Sequence, residues 1–245
     1  MKMNANNAVD AGREPDARER ILAAALSEFS GHGLAGARMD AIALAAGVNK
    51  ALLYYYFASK DGLYLAALEA VATKVRDASL AAATGDATPG HRVVRTVLAH
   101  FDRILTQHEF QQLMQQEMIR IHKGEPGAMS LLVEKVFRPL VTAFEATVTE
   151  GVASGELIPV DWLQMWISTL GANVFFFLTA RMFQQLNGED PLTPDALEKR
   201  RKALVEYLGW AIFRDREAGA RVAAEVLAAT PMPPKIQLPR AVEAR

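Results

Sequence analysis

The chain has 245 residues, 51% of them apolar, enough to bury a sizeable core in one large domain or two smaller ones. Its formal net charge is −1, so no global field draws it to nucleic acid or to an acidic membrane surface, and any polyanion site has to come from a local cluster. The absence of cysteine excludes disulfide staples, thiolate nucleophiles and cysteine-ligated metal, and fits an expected cytoplasmic location.

Strand signals are scarce, and Ala, Leu, Glu, Gln, Arg and Met dominate, so the expected class is all-α. Residues 1–15, MKMNANNAVDAGREP, are polar and small with no apolar run after a basic start; a disordered tail is expected rather than a secretory leader. The first helix is expected from Asp16 to the glycines at 31 and 33, on an apolar stripe of Ile21, Leu22, Ala25, Leu26 and Phe29. Short helices follow at 39–46 and 49–56 around Gly47, and Ser59 is placed to cap a long helix over 60–83. Beyond the breaker TGDATPG, helices are expected at 89–106, 109–123, 128–154, 161–187 and 194–217, at limits marked by local punctuation. Pro139 should kink or split the third of these, and the terminal TPMPPKIQLPR is too rich in proline for a helix and reads as an exposed or disordered tail.

The stretch from Trp162 to Ala180, WLQMWISTLGANVFFFLTA, carries no formal charge and has about the length of a bilayer span. Gln164, Ser168, Thr169, Gly171, Asn173 and Thr179 dilute it, so no membrane association is expected. A helix apolar nearly all round should instead be packed by protein on several sides.

Residues 38–57 meet the local demands of a helix-turn-helix. Ile42, Ala45 and Val48 can face the first helix, Ala43 and Ala46 permit close approach, and Gly47 suits a left-handed turn. If Leu53 points inward, Tyr56 and Phe57 lie on its side and Tyr54, Tyr55, Ala51 and Leu52 on the other. The outward tyrosines either pack on another helix or, with Lys50 and Lys60 near them, contact phosphate.

Residues 18–68, RERILAAALSEFSGHGLAGARMDAIALAAGVNKALLYYYFASKDGLYLAAL, resemble the DNA-binding domain of the TetR family of bacterial transcriptional regulators. The shared elements are the ILxAALxxF helix, the glycine-containing turn, IAxxAGV, LLYYYF and SKDGL, in the family's order. The resemblance implies a three-helix DNA-binding head over residues 16–60 and a larger helical ligand-binding and dimerisation domain over 61–218, with a C-terminal extension at 219–245. It further implies a homodimer that places two recognition helices in successive major grooves of a palindromic operator, acting as a repressor that a small-molecule effector releases. On this reading Arg38, Asn49, Lys50, Ala51 and Leu52 face bases or nearby phosphates, and Tyr54, Tyr55 and Lys60 clamp phosphate. Arg38 and Leu52 depart from the hydroxyl residues common at those positions: arginine cannot cap a helix through a side-chain oxygen, and leucine offers only apolar contact to a thymine methyl.

In the second half, Met114, Met118, Trp162, Trp166 and Phe177 either line a cavity or fill a core, and Gln115 and Asn173 are placed to fix a ligand's polar end; a lipophilic effector is expected. The resemblance implies that the last two long helices form an intersubunit four-helix bundle; Leu170, Phe177, Leu204, Leu208 and Ile212 have spacings consistent with helix pairing, there or within one subunit. Enzymatic motifs are missing: HEFQQ at 108–112 lacks the second histidine of HExxH, there is no Gly-x-Ser-x-Gly elbow, and the five histidines have no metal-ligand spacing, so no cofactor or metal is expected. The alternative is a helical enzyme or small-molecule carrier that retains the head as a structural module.

Overall fold

The computed structural model describes residues 16–125, 127–234 and 236. The expected N-terminal tail, 1–15, and the last nine residues lie outside the described residues. The protein is all-α, with no strand among the described residues and one isolated antiparallel bridge, Leu157 to Phe213. In chain order the helices are α1 (Ala17–Gly36), α2 (Met39–Ala46), α3 (Lys50–Phe57), α4 (Lys60–Ala83), α5 (Pro89–Thr106), α6 (His108–His122), α7 (Met129–Leu132), α8 (Arg138–Ala153), α9 (Trp162–Asn187), α10 (Pro194–Ile212) and α11 (Arg216–Ala229).

Most helix starts follow from side-chain capping of orphan backbone N–H groups. Asp16, Asn49, Asp161 and Thr193 accept from Glu19, Leu52, Gln164 and Ala196 at 2.8 to 3.3 Å. Ser59 Oγ takes the Gly62 N–H at 3.0 Å. α1 runs past the expected stop to Gly36 with a break at Gly33, whose φ of 69° is open to glycine. The helix expected over 128–154 is interrupted beside Pro139, into α7 and α8. The interruption falls just before it, in a π-helical turn over Val133–Phe137, which leaves the proline in the first turn of α8, where its missing N–H costs nothing.

The chain forms two compact units. The first comprises residues up to Val71 with Gln112–Ala128; the second comprises Ala72–Gln111 and the chain from Met129 onward. In the first unit, Ile21, Ala25 and Phe29 of α1, Ile42 and Ala46 of α2, and Leu53 and Phe57 of α3 form the interior. Phe29 meets Tyr64 edge-on, with ring centroids 5.1 Å apart. Glu117 of α6 is fully buried here: it accepts from Tyr64 Oη at 2.6 Å and from the Ala128 N–H at 2.5 Å, and Arg120 lies 3.2 Å away. Gln116 adds a bond to the Ser30 carbonyl at 2.9 Å.

In the second unit α5 is the central element, its Val93, Val94, Val97, Leu98, Phe101 and Leu105 all fully buried against α8, α9, α10 and α11. Arg201 of α10 is buried, pairs through two bonds with Asp102 of α5 (2.7 and 2.8 Å), and donates to the Thr230 carbonyl at 2.9 Å. The helix expected over 194–217 is in fact two, and residues 216–229 are helical. Beyond them Met232 and Ile236 pack on the core, because Arg201 holds the chain back across α10. α10 and α11 touch backbone to backbone: a Cβ on Gly219 would sit 2.1 Å from the Gly209 carbonyl oxygen. Gly219→Ala is expected to force the helices apart and cost about 1–3 kcal/mol, read as a lower thermal midpoint.

Candidate nucleic-acid interface

The helix-turn-helix is assembled from short-range chemistry. α2 ends in Gly47, left-handed at φ 66°, ψ 37°, and the Val48 N–H bonds back to the Ala43 carbonyl at 3.0 Å. Ala43 and Ala46 are buried, and so is Ile42; Ala45, expected to face the first helix, is exposed. Eight residues then make α3, held by Leu53 and Phe57.

Tyr54 and Tyr55 stand on the surface, 44% and 81% exposed, as expected from the angular spacing. Tyr56 does not follow expectation: it is 42% exposed, not core. Its backbone direction is close to that of Leu53, but a two-turn helix packed along one narrow edge covers only the residues directly over that edge. Tyr56 instead stacks edge-on with Tyr55, centroids 5.4 Å apart. The tip therefore presents three phenols. Leu44, 84% exposed on α2, is a further surface residue that no motif had singled out.

The other expected contact residues have roles inside the protein as well. Asn49 caps α3, so its side-chain oxygen is engaged and its amide N–H groups remain for a ligand. Lys50 bonds Asp40 at 2.9 Å on the surface, a contact that raises its pKa. Lys60 donates to the Ala35 carbonyl near the C-terminus of α1 at 3.0 Å, a favourable place for a cation. Arg38 provides no side-chain cap for α2; its backbone N–H is met by Glu28 at 2.9 Å, and its side chain is exposed. Ala51 is exposed and Leu52 half-buried.

The expected pocket residues fall in different units. Met114, Gln115 and Met118 belong to the first, where Met114 is buried and Gln115 and Met118 are exposed. Trp162, Trp166, Asn173 and Phe177 belong to the second; Asn173 is fully buried and the aromatic residues half-buried, with Trp166 edge-on to Phe144. A surface groove of about 360 Å³ lies between α10 and α11, lined by Val205, Trp210, Ala223 and Leu227 and by none of these.

The residues expected at a dimer interface require correction. Leu170, Leu204, Leu208 and Ile212 are buried in the core of the single chain, and Phe177 packs on that core, because these faces of α9 and α10 point toward α5. The face of α9 left open is a different one, with Leu163, Ile167, Val174, Leu178, Met182 and Leu186 exposed at intervals of four and seven residues. α9 is long and apolar enough to cross a membrane by length and composition alone, yet 28% of its most apolar stretch is buried. It is thus packed on one side rather than several.

Known proteins match this arrangement. The profile of bacterial regulatory proteins of the tetR family matches residues 21–67, and that of the tetracyclin repressor-like C-terminal domain matches 89–208. The HTH-type transcriptional repressor SCO4008 of Streptomyces coelicolor is 48% identical over 60 residues, which is 24% of this chain and 31% of that repressor. The HTH-type transcriptional regulator RutR of Escherichia coli is 31% identical over 156 residues, 62% of this chain and 71% of its own. A transcriptional regulator of Saccharomonospora viridis, solved in complex with choline, shares the fold with a TM-score of 0.65 at 18% identity, covering 81% of this chain and 98% of the other.

Proposed function

The chain belongs to the tetR family of bacterial regulatory proteins, and from that premise we propose that it is a cytoplasmic DNA-binding repressor, binding a palindromic operator as a homodimer and released by a small-molecule effector. The observation that carries this reading is the exposed surface of α3, where three tyrosines and Lys50 stand on a helix whose start Asn49 caps. Phenol hydroxyls and ammonium groups suit phosphate oxygens, and the first turn of α3 brings Asn49, Lys50 and Ala51 to base edges. Residues 16–60 serve as the reading head and residues 61–218 as the effector and dimer region. A second copy covers the open face of α9.

Lys50 leaves Asp40 to reach the duplex, which makes Asp40 a competitor for it. Lys50→Ala and Lys60→Ala are each expected to weaken operator binding across all sequences and to lower the slope of log K against log salt by about 1. The measurement is a gel-shift titration at several salt concentrations, using the inverted repeat nearest the gene and a random duplex. Equal affinity for the two duplexes, or unchanged slopes in both variants, would count against operator recognition by this face.

Release follows if the effector binds more tightly to a state in which the two heads are mis-spaced; operator affinity then falls by that difference in binding free energy. α4 and α6, each with residues in both units, are helical links available for such coupling.

A further inference from the structure

One cluster in the second unit, taken together with the regulator reading above, specifies the charge of the effector. Asn173 Nδ2 donates to the Val97 carbonyl at 3.1 Å and lies 3.3 Å from His100 Nδ1. A carbonyl only accepts, so Val97 fixes which way round the amide sits, and the second N–H of Nδ2 is directed at the imidazole. Nδ1 is therefore the accepting nitrogen of His100 and the ring proton resides on Nε2. This orientation leaves Asn173 Oδ1 buried without a hydrogen-bond partner. Such an orphan costs about 1–3 kcal/mol, which an apolar residue of the same shape avoids.

His100 and Arg103 stand one turn apart on one face of α5. Both lie deep: burial is the main cause that pushes the imidazole pKa down to about 3 and that of Arg103 down to about 10, and the nearby Arg103 charge lowers His100 further. The imidazole is thus neutral at pH 7. Both side chains nonetheless keep accessible surface. Among the described residues neither His100 Nε2 nor the Arg103 guanidinium has a hydrogen-bond partner, and both oxygens of neighbouring Asp102 are taken by Arg201. Next to them Phe101, Phe176 and Phe177 form an aromatic trio with centroids 4.9 to 5.8 Å apart. The open donors of this cluster are His100 Nε2–H and Arg103, the buried Asn173 Oδ1 is an open acceptor, and Arg200 adds a second cation 5.3 Å over the Phe176 ring.

We propose that the effector is a small organic carboxylate with an apolar body, held by Arg103 and by His100 Nε2–H, and that Asn173 is the positioning residue that keeps the imidazole in its donating tautomer. A carboxylate accepts both donors at once and adds to the countercharge that Asp102, shared with Arg201, supplies to the Arg103 guanidinium. An amide neutralises nothing, and an ammonium adds a like charge.

The test uses the full chain and three probes with one body: 3-phenylpropionate, 3-phenylpropionamide and 3-phenylpropylammonium, titrated by calorimetry. The carboxylate is expected to bind about tenfold or more tightly than the amide, and the ammonium not at all. Arg103→Gln should bring the carboxylate down to the amide's level. Asn173→Leu, close in shape and free of the orphan oxygen, should melt no lower than the parent, yet bind the carboxylate about tenfold more weakly. Its His100 nitrogen resonances should show the proton shared with Nδ1. Equal affinities for carboxylate and amide, an Arg103→Gln variant that binds the carboxylate as the parent does, or no carboxylate binding at about 20 mM overturns the proposal. Operator binding in the same preparations separates the two readings: retained operator affinity with failed carboxylate binding removes this inference alone, and absent operator affinity removes the repressor.

Discussion

Glu117→Ala is expected to destabilise the first unit by about 3–5 kcal/mol, the range found when one member of a buried, hydrogen-bonded charge cluster is removed. The carboxylate is fully buried and joins three parts of the chain: Tyr64 of α4, Arg120 of its own helix, and the backbone at Ala128. Alanine would strand the Tyr64 hydroxyl and the Ala128 N–H in an apolar interior, each at a cost of about 1–3 kcal/mol. Burial and the Glu117 carboxylate already push the Tyr64 phenol pKa up, so that hydroxyl cannot escape by ionising. Space is tight as well, since a Cβ at Gly127 would meet Glu117 Oε2 at 2.5 Å. Denaturant titration of the full chain should show an early transition assigned to the first unit, with α9 and α10 still structured, and operator affinity should fall with it. Glu117→Gln, which keeps an acceptor for Tyr64, should lose less. A loss below about 1 kcal/mol for Glu117→Ala would mean that water replaces the carboxylate at no cost.

Nothing in the sequence around Glu117 announces it. QQLMQQEMIRIH reads as an amphipathic helix whose methionines are the natural inward residues, and Met118 is in fact exposed while the glutamate beside it is buried. The partners that make burial tolerable, Tyr64 and Ala128, are brought there by tertiary packing. Helix limits were legible for the opposite reason: Asp16, Asn49, Asp161 and Thr193 cap within three residues of their own position, so local sequence carries the information. The helix-turn-helix was legible because Gly47 and the small residues Ala43 and Ala46 are required by its geometry. Tyr56 was misplaced because helical angle gives direction but not the width of the covering partner. Helix α11 was missed because Asp215, which caps it by accepting from Glu217 and Ala218, sits inside an otherwise unbroken helical pattern. The α5 residue His100 was passed over: a lone histidine among valines and leucines carries no ligand signal until Asn173 is seen beside it.

The second large effect concerns α9, where sequence could not say which side faces inward because both sides are apolar. Leu170 and Met165 point to the core, leaving Leu163, Ile167, Val174, Leu178, Met182 and Leu186 as a stripe along one helix face. Gly171 lies within that stripe, and a Cβ there would meet nothing within 4 Å, so a partner helix can approach its backbone closely. Lipid is a poor fit, because Gln164, Ser168 and Arg181 are exposed on the same helix. A second copy suits it better: an isologous contact pairs the stripe with itself across a two-fold axis, and polar residues flank an apolar centre. The same symmetry doubles any defect. Leu178→Glu places two carboxylates near the axis in an apolar seam, a cost of several kcal/mol per dimer, and the dimer dissociation constant should rise about a thousandfold. Sedimentation velocity at micromolar concentration should then show a monomer of unchanged helix content. Leu204→Glu, aimed at the core of the single chain, should instead unfold the second unit. An undisturbed dimer in Leu178→Glu would place the subunit contact on another face. A monomer that still protects both halves of the operator would show that two reading heads need no joined bodies.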